Sequence, residues 1–226
     1  MTVDWREAMP QLVHDARALL RGSSLTLQLL ERALGDRIPQ EARDQLRASR
    51  EAQEELDALL RRVAQLAEAE RSAGRGGVLP LETVVLAARL RVKDALTECG
   101  AELVQNELPS CNVSEKLEAV LRELLENSVR FRTTEGVPRI EISARLDDGW
   151  VILEVVDNGI GWSEGAEAKL FVPFETLALP DRTPRRRGCG LGLPIAKAIV
   201  EDAGGEITGE RRPEGGARFR MILPVE

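Results

Sequence analysis

Between residues 4 and 72, Met9, Leu12, Ala16, Leu19, Ser23, Thr26, Leu30 and Ala33 recur at alternating spacings of three and four, and Val13, Leu20 and Leu27 widen the stripe. This is the seven-residue pattern of a helix packed lengthwise on others, and nothing in the stretch reads as a strand. Asp4 and Glu7 suit a capping box at its start, Gly35 a stop, and Pro39 the first turn of a second helix. That second helix carries Leu46, Leu56, Leu60, Val63 and Ala67 up to a break at Gly74, Gly76 and Gly77. The pair is predicted to fold back as an antiparallel helical hairpin. Two helices bury little alone, so the stripe is expected to pair with its copy as a four-helix bundle in a homodimer.

Past the break the period becomes mixed. Residues 81–96 and 114–130 read as helices, 101–106 as a short strand, and 139–146 and 150–156 as strands around an Asp147-Asp148-Gly149 turn. A helix over 194–203 and strands over 206–211 and 217–224 complete the chain. The expected fold class is α+β: the hairpin over residues 1–73, then a two-layer α/β sandwich with a mixed sheet over residues 74–226. No internal repeat or low-complexity tract interrupts either part.

Composition narrows the picture further. With 43% hydrophobic and 31% charged residues the chain has the balance of a folded globular protein rather than a disordered one. No apolar run approaches a membrane helix, and the N-terminus has neither a basic region nor an apolar core, so a cytoplasmic protein is expected. Cys99, Cys111 and Cys189 are an odd number at spacings that fit neither a metal clip nor a disulfide framework, and read as reduced thiols. A net charge of −7 argues against nucleic-acid partners, although Arg182, Arg185, Arg186 and Arg187 form a local basic cluster.

That cluster adjoins the most informative stretch, Gly188-Cys189-Gly190-Leu191-Gly192-Leu193, which runs into a predicted helix. Alternating glycines admit tight turns and bring bare amides and a helix N-terminus up to an anion such as a polyphosphate. Upstream, Asp157-Asn158-Gly159-Ile160-Gly161 ends an apolar strand, and Glu123, Asn127 and Arg130 share one face of the helix over 114–130, opposite the core stripe of Leu117, Leu121, Leu124 and Ser128. A carboxylate accepting from an exocyclic amine, with glycines leaving room for a flat ring, suits adenine.

The order of these motifs resembles the sensor histidine kinases. Arg122-Glu123-Leu124-Leu125-Glu126-Asn127-Ser128-Val129-Arg130-Phe131 resembles their N box, residues 157–161 their first glycine box and Phe171-Val172-Pro173-Phe174 their F box. Residues 188–193 resemble the second glycine box, and Gly215-Gly216-Ala217-Arg218-Phe219 the final glycine-bearing strand. The resemblance implies the Bergerat-type ATP-binding sandwich shared with gyrase, the ninety-kilodalton chaperone and the mismatch-repair ATPases. It implies Asn127 as the Mg²⁺ ligand, Arg130 as a phosphate contact, Phe131 as a nucleotide-packing residue and Asp157 as the adenine anchor. Gly159, Gly161, Phe174, Gly188, Gly190, Leu191, Gly192 and Leu193 complete the implied ATP site. Glu123 matches the N-box acid, either polarising the metal's water shell or acting as a base.

The chain has one histidine, His14, which the helical period places off the central stripe and toward solvent. His14-Asp15-Ala16-Arg17 resembles the family's phosphoacceptor box, with Asp15 holding the imidazole. The implied reaction is autophosphorylation of His14 from Mg-ATP and transfer to an aspartate of a response-regulator receiver domain. Leu19 stands where the family has a proline, and Pro10 precedes the box instead. Ala18 replaces a residue that would orient water, so weak phosphatase activity is expected, while Arg122 and Cys189 replace a frequent histidine and threonine. Thirteen residues before His14 leave no room for a sensory domain, so a sensory domain or partner protein outside this chain is expected to supply the input. Two other readings compete: an ATPase or serine kinase on the same sandwich, and a non-catalytic dimeric phosphotransfer or scaffold protein. Replacing His14 separates the first from a histidine kinase, and a nucleotide-binding assay tests the second.

Overall fold

The long Ala-, Leu-, Arg- and Glu-rich stretches form two helices, α1 (Trp5–Leu34) and α2 (Gln40–Arg71), joined by a 3-10 turn at Gly35–Arg37. The computed structural model describes residues 5–71, 76–177 and 188–225; the expected Asp4–Glu7 capping box and Gly74 of the expected break lie outside the described residues. Gly35 ends α1 with φ +51°, a left-handed conformation that glycine adopts without cost. The Pro39 carbonyl accepts the first bond of α2, from the Arg43 amide at 3.0 Å. Arg17 Nε donates to Asp57 Oδ1 at 2.8 Å, Gln53 Nε2 to Ser23 Oγ at 2.8 Å, and Arg50 pairs with Glu31. As numbers rise along α1 their partners fall along α2, so the helices are antiparallel.

The predicted stripe divides in this hairpin. Val13 is buried and Leu20 and Leu27 are half-buried, whereas Leu12 and Leu19 are 63% and 78% exposed. Neighbouring positions on a helix lie about 100° apart, so the widening residues turn inward and much of the central stripe remains on the surface.

Residues Ser72–Glu226 form a second unit, distinct from Met1–Arg71. In chain order it contains β1 (Val78–Pro80), α3 (Leu81–Cys99), β2 (Glu102–Gln105), β3 (Asn112–Ser114), α4 (Leu117–Arg130), β4 (Arg139–Asp147), β5 (Trp150–Asp157), α5 (Gly192–Asp202), β6 (Glu206–Arg211) and β7 (Ala217–Pro224). The main sheet has the order β2-β4-β5-β7-β6. It is mixed: β2 runs parallel to β4, and every other pairing is antiparallel. Alternate residues of the strands, among them Ile140, Ile142, Leu153, Val155, Phe219 and Met221, share one core with Val84, Ala88, Leu121, Leu124 and Ala196 of the helices. The opposite face carries Glu141, Glu154, Arg218 and Arg220, giving the two-layer α+β sandwich that the alternation predicts.

Several boundaries differ from the sequence reading. A two-stranded antiparallel ribbon, β1 with β3, was not expected, and Ser114 ends β3 instead of opening α4. The Glu115 amide donates to the Gly77 carbonyl at 2.9 Å and holds that segment extended. α5 starts at Gly192, ahead of Pro194, because proline fits the first helical turn, where no amide donor is needed. α3 continues to Cys99 and stops where Gly100 takes φ +64°.

Candidate functional site

The site of the second unit is built around the end of β5 and the outward half of α4. Asp157 closes β5 with 8% exposure. Its Oδ1 accepts the amides of Gly159 at 2.8 Å and Ala217 at 3.1 Å. The Ser128 hydroxyl lies 3.0 Å from Asp157 Oδ2 and 3.0 Å from the Leu124 carbonyl, so its single proton serves both. Burial pushes the Asp157 carboxyl above the usual aspartate range, opposed by the Gly159, Ser128 and Ala217 hydrogen bonds and by the charge of Arg212. A carboxylate bonded in this way keeps further acceptor capacity for an amine.

The glycines around Asp157 are sterically required. A Cβ on Gly159 would stand 2.5 Å from the Phe131 carbonyl, and one on Gly161, at φ +61°, would stand 2.9 Å from the Gly216 carbonyl. That Phe131 carbonyl, at the C-terminal cap of α4, accepts the Ile160 amide at 2.9 Å and so fixes the loop to the helix. Asn158, given no separate role by the sequence reading, has a structural task. Its Oδ1 accepts the Arg139 amide at 2.8 Å and its Nδ2 donates to the Val137 carbonyl at 3.0 Å, tying the glycine loop to the entry of β4.

Along α4, Asn127 and Arg130 are half-buried, and Arg130 Nη1 donates to Asn127 Oδ1 at 3.3 Å. A Cβ on Gly188 would lie 2.8 Å from Arg130 Nη1, so the expected metal ligand, phosphate contact and glycine loop come together. Glu123 is only 6% exposed. The buried surface of α4 spans Val120, Leu121, Glu123, Leu124 and Leu125, wider than the one stripe that the sequence reading set opposite Glu123. Phe131 is half-buried at the end of α4.

At the other end of the site, Gly190 takes φ +70° and a Cβ there would meet the Glu175 carbonyl at 2.5 Å. The Phe174 amide donates to the Gly190 carbonyl at 3.0 Å, while the Phe174 ring is exposed and its φ is +65°. Gly192 opens α5, whose first turn has no side-chain cap and points a helix N-terminus at this region. Leu191 is fully buried beneath the start of α5, and half-buried Leu193 packs on the core, so both anchor the loop. Arg182, Arg185, Arg186 and Arg187 lie outside the described residues.

In the first unit, His14 is exposed and its Nδ1 lies 3.1 Å from Asp15 Oδ1, which also accepts Gln11 Nε2 at 2.9 Å. The contact with His14, then that with Gln11, hold the Asp15 carboxyl below its ordinary range. An ionised carboxylate only accepts, so Nδ1 carries the proton and the lone pair sits on Nε2.

Comparison with known proteins agrees with this geometry. Residues 112–226 match the family described as histidine kinase-, DNA gyrase B-, and HSP90-like ATPase. The chain is 29% identical over 214 residues, 94% of its length, to cyanobacterial phytochrome A of Nostoc sp., and 42% identical over 109 residues to the sensor protein KdpD of Escherichia coli. It spans about a quarter of the phytochrome's length, 27%, and 12% of KdpD. Among solved structures, full-length ShkA in complex with AMPPNP matches 97% of this chain and 46% of its own, with 26% identity and a TM-score of 0.75. The fold of the Acinetobacter baumannii histidine kinase AdeS matches 94% of this chain and 98% of its own, at 23% identity and a TM-score of 0.61. Among the described residues, no helix is long and apolar enough to cross a membrane. With motifs, sandwich topology and relatives in agreement, the chain belongs to the histidine kinase-, DNA gyrase B- and HSP90-like ATPase family.

Proposed function

We propose that the chain is a histidine kinase core, in which the hairpin of residues 1–73 dimerises and carries the phosphoryl group and residues 74–226 bind Mg-ATP. The carrying observation is the chain's one histidine, exposed on α1 with Nδ1 against Asp15. Nε2 attacks the γ-phosphorus, the bond to the β–γ bridging oxygen breaks, and ADP leaves with that electron pair. The imidazole becomes positively charged as the N–P bond forms, and Asp15 offsets that charge and receives the Nδ1 proton. Receipt of the phosphoryl group by an aspartate of a response-regulator receiver domain then regenerates His14.

For the nucleotide, Asp157 accepts from the adenine amine, and Gly159 and Gly161 leave room for the ring. Phe131 packs on the nucleotide, Arg130 meets the phosphates, and the amides of residues 188–192 with the start of α5 neutralise developing oxygen charge. Asn127 suits Mg²⁺: its amide oxygen is a hard donor, half-exposed and one helical turn from the Glu123 carboxylate, and Mg²⁺ is commonly held by one or two protein oxygens plus phosphates. Bound there, Mg²⁺ supplies charge stabilisation to the transferring phosphoryl group. The exposed Leu12 and Leu19 support a dimer of hairpins. The family match supports a receiver partner and a separate sensory domain or partner protein, and the proposed site of action is cytoplasmic.

Incubation with γ-labelled ATP and Mg²⁺, comparing the native chain with His14→Gln, tests the reading. Acid-labile, base-stable label that vanishes with His14 is expected. ATP turnover indifferent to His14 would instead establish the ATPase or serine-kinase alternative.

A further inference from the structure

Behind the Asp157 carboxylate stands a turn that carries Gly215 and Gly216 of the final glycine motif, and an arginine, Arg212, that no motif accounts for. β6 and β7 are joined by residues 212–216, closed by Arg212 N–H to the Gly216 carbonyl at 3.1 Å and Gly215 N–H to the Arg212 carbonyl at 3.1 Å. Gly216, at φ +91°, lies so close to the Asp157 carbonyl that no Cβ would fit, and the next residue, Ala217, donates its amide to Asp157 Oδ1. Arg212 crosses the same junction. Its Nη1 donates to the Asp157 carbonyl at 2.9 Å and its Nη2 is gripped by Glu214, while the buried Nε has no hydrogen-bond partner among the described residues. Its side chain is 24% exposed.

We infer that Arg212 is a positioning residue for adenine recognition, holding Asp157 at the angle from which its carboxylate meets the base amine. The inference rests on the reading of this pocket as the ATP site. The Asp157 carbonyl is the last acceptor of β5 before the glycine loop, so a donor there fixes where the strand stops and the carboxylate begins. A charged donor makes that bond stronger than a neutral one. The guanidinium also favours the ionised carboxylate, which burial disfavours. The groups facing the carboxylate are the Ser128 hydroxyl from α4, the Gly159 amide from its own loop, the Ala217 amide from β7, and the Arg212 charge, itself balanced by Glu214. Arg212 is the one cation among them.

ADP and inosine diphosphate separate this role from a general structural one, because inosine offers no exocyclic amine to Asp157. Calorimetric titration of the full chain is expected to show Arg212→Met weakening ADP roughly tenfold at neutral pH, the scale of one charge-assisted hydrogen bond. Inosine diphosphate should change little, compressing the ratio of the two affinities. The pH midpoint of ADP binding should rise, and Arg212→Lys should restore most of both. An unchanged ratio and midpoint in a folded Arg212→Met overturn the inference. Should that variant fail to fold, Glu214→Gln releases the grip on Arg212 and is expected to compress the ratio partly; no compression overturns the inference. Failure of the unaltered chain to bind ADP overturns the nucleotide reading itself.

Discussion

The Phe174 amide donates to the Gly190 carbonyl at 3.0 Å, so the F box and the second glycine box meet at their base although thirteen residues separate them in sequence. The junction leaves no freedom at Gly190, whose left-handed backbone faces the Glu175 carbonyl.

Gly190→Ala is accordingly expected to reduce ATP affinity by at least tenfold. A left-handed alanine costs about 1–2 kcal/mol, and the new methyl displaces residues 174–175 as well. Calorimetric titration with ATP, alongside thermal melting, measures both effects.

Asp157→Asn should separate folding from binding. The amide oxygen still accepts from Gly159 and Ala217 and its nitrogen can donate to Ser128, while the buried charge disappears. Melting temperature is expected to hold or rise, and ATP affinity to fall about tenfold or more as an acceptor facing the base is lost. A variant that binds ATP normally would remove Asp157 from the site.

Acidification should act oppositely on two carboxylates. Burial raises the Asp157 value above its unfolded one, so its contribution to stability is complete below the unfolded value and lost as pH rises through the folded value. Asp57, lowered first by its hydrogen bond from Arg17, contributes stability above its unfolded value that is lost as pH falls through the folded one. Falling pH should therefore loosen the hairpin while the sandwich stays folded and sheds nucleotide, which circular dichroism of the separately monitored transitions and an ADP titration would register.

Asp15→Asn should leave ATP affinity unchanged and slow phosphorylation of His14 about a hundredfold, the scale of a lost acid–base partner. An amide can donate to Nδ1, releasing the tautomer that the carboxylate imposes. Phosphorylation rates at saturating ATP isolate the step.

Leu12→Glu with Leu19→Glu should convert a dimer to monomers without unfolding the hairpin, since both side chains face solvent within one chain. Val13→Glu, which buries its charge, should unfold it instead. Light scattering with chromatography measures the first outcome and helical circular dichroism the second.

Long periodic segments and glycine motifs were legible in the sequence because each follows from local geometry. The heptad pattern of α1 and the alternation of β4 and β5 sufficed to draw the hairpin and the sheet. The ribbon of β1 and β3 was not legible, since three-residue strands show no period. Neither was the burial of Glu123, which the spacing along α4 does not indicate. Asn158 and Arg212 escaped notice for a different reason: each acts on backbone atoms distant in sequence, and no residue pattern announces that.

β7, which follows every other strand of the sheet in chain order, is an interior strand, inserted between β5 and β6. Its first residue delivers the amide that Asp157 accepts across sixty positions. Without β7, β5 has an open edge and the Asp157 carboxylate lacks one of its two amide donors, so a chain cut short of β7 is expected to leave the proposed site unassembled. The proposed nucleotide site thereby depends on a strand far from it in sequence being in place.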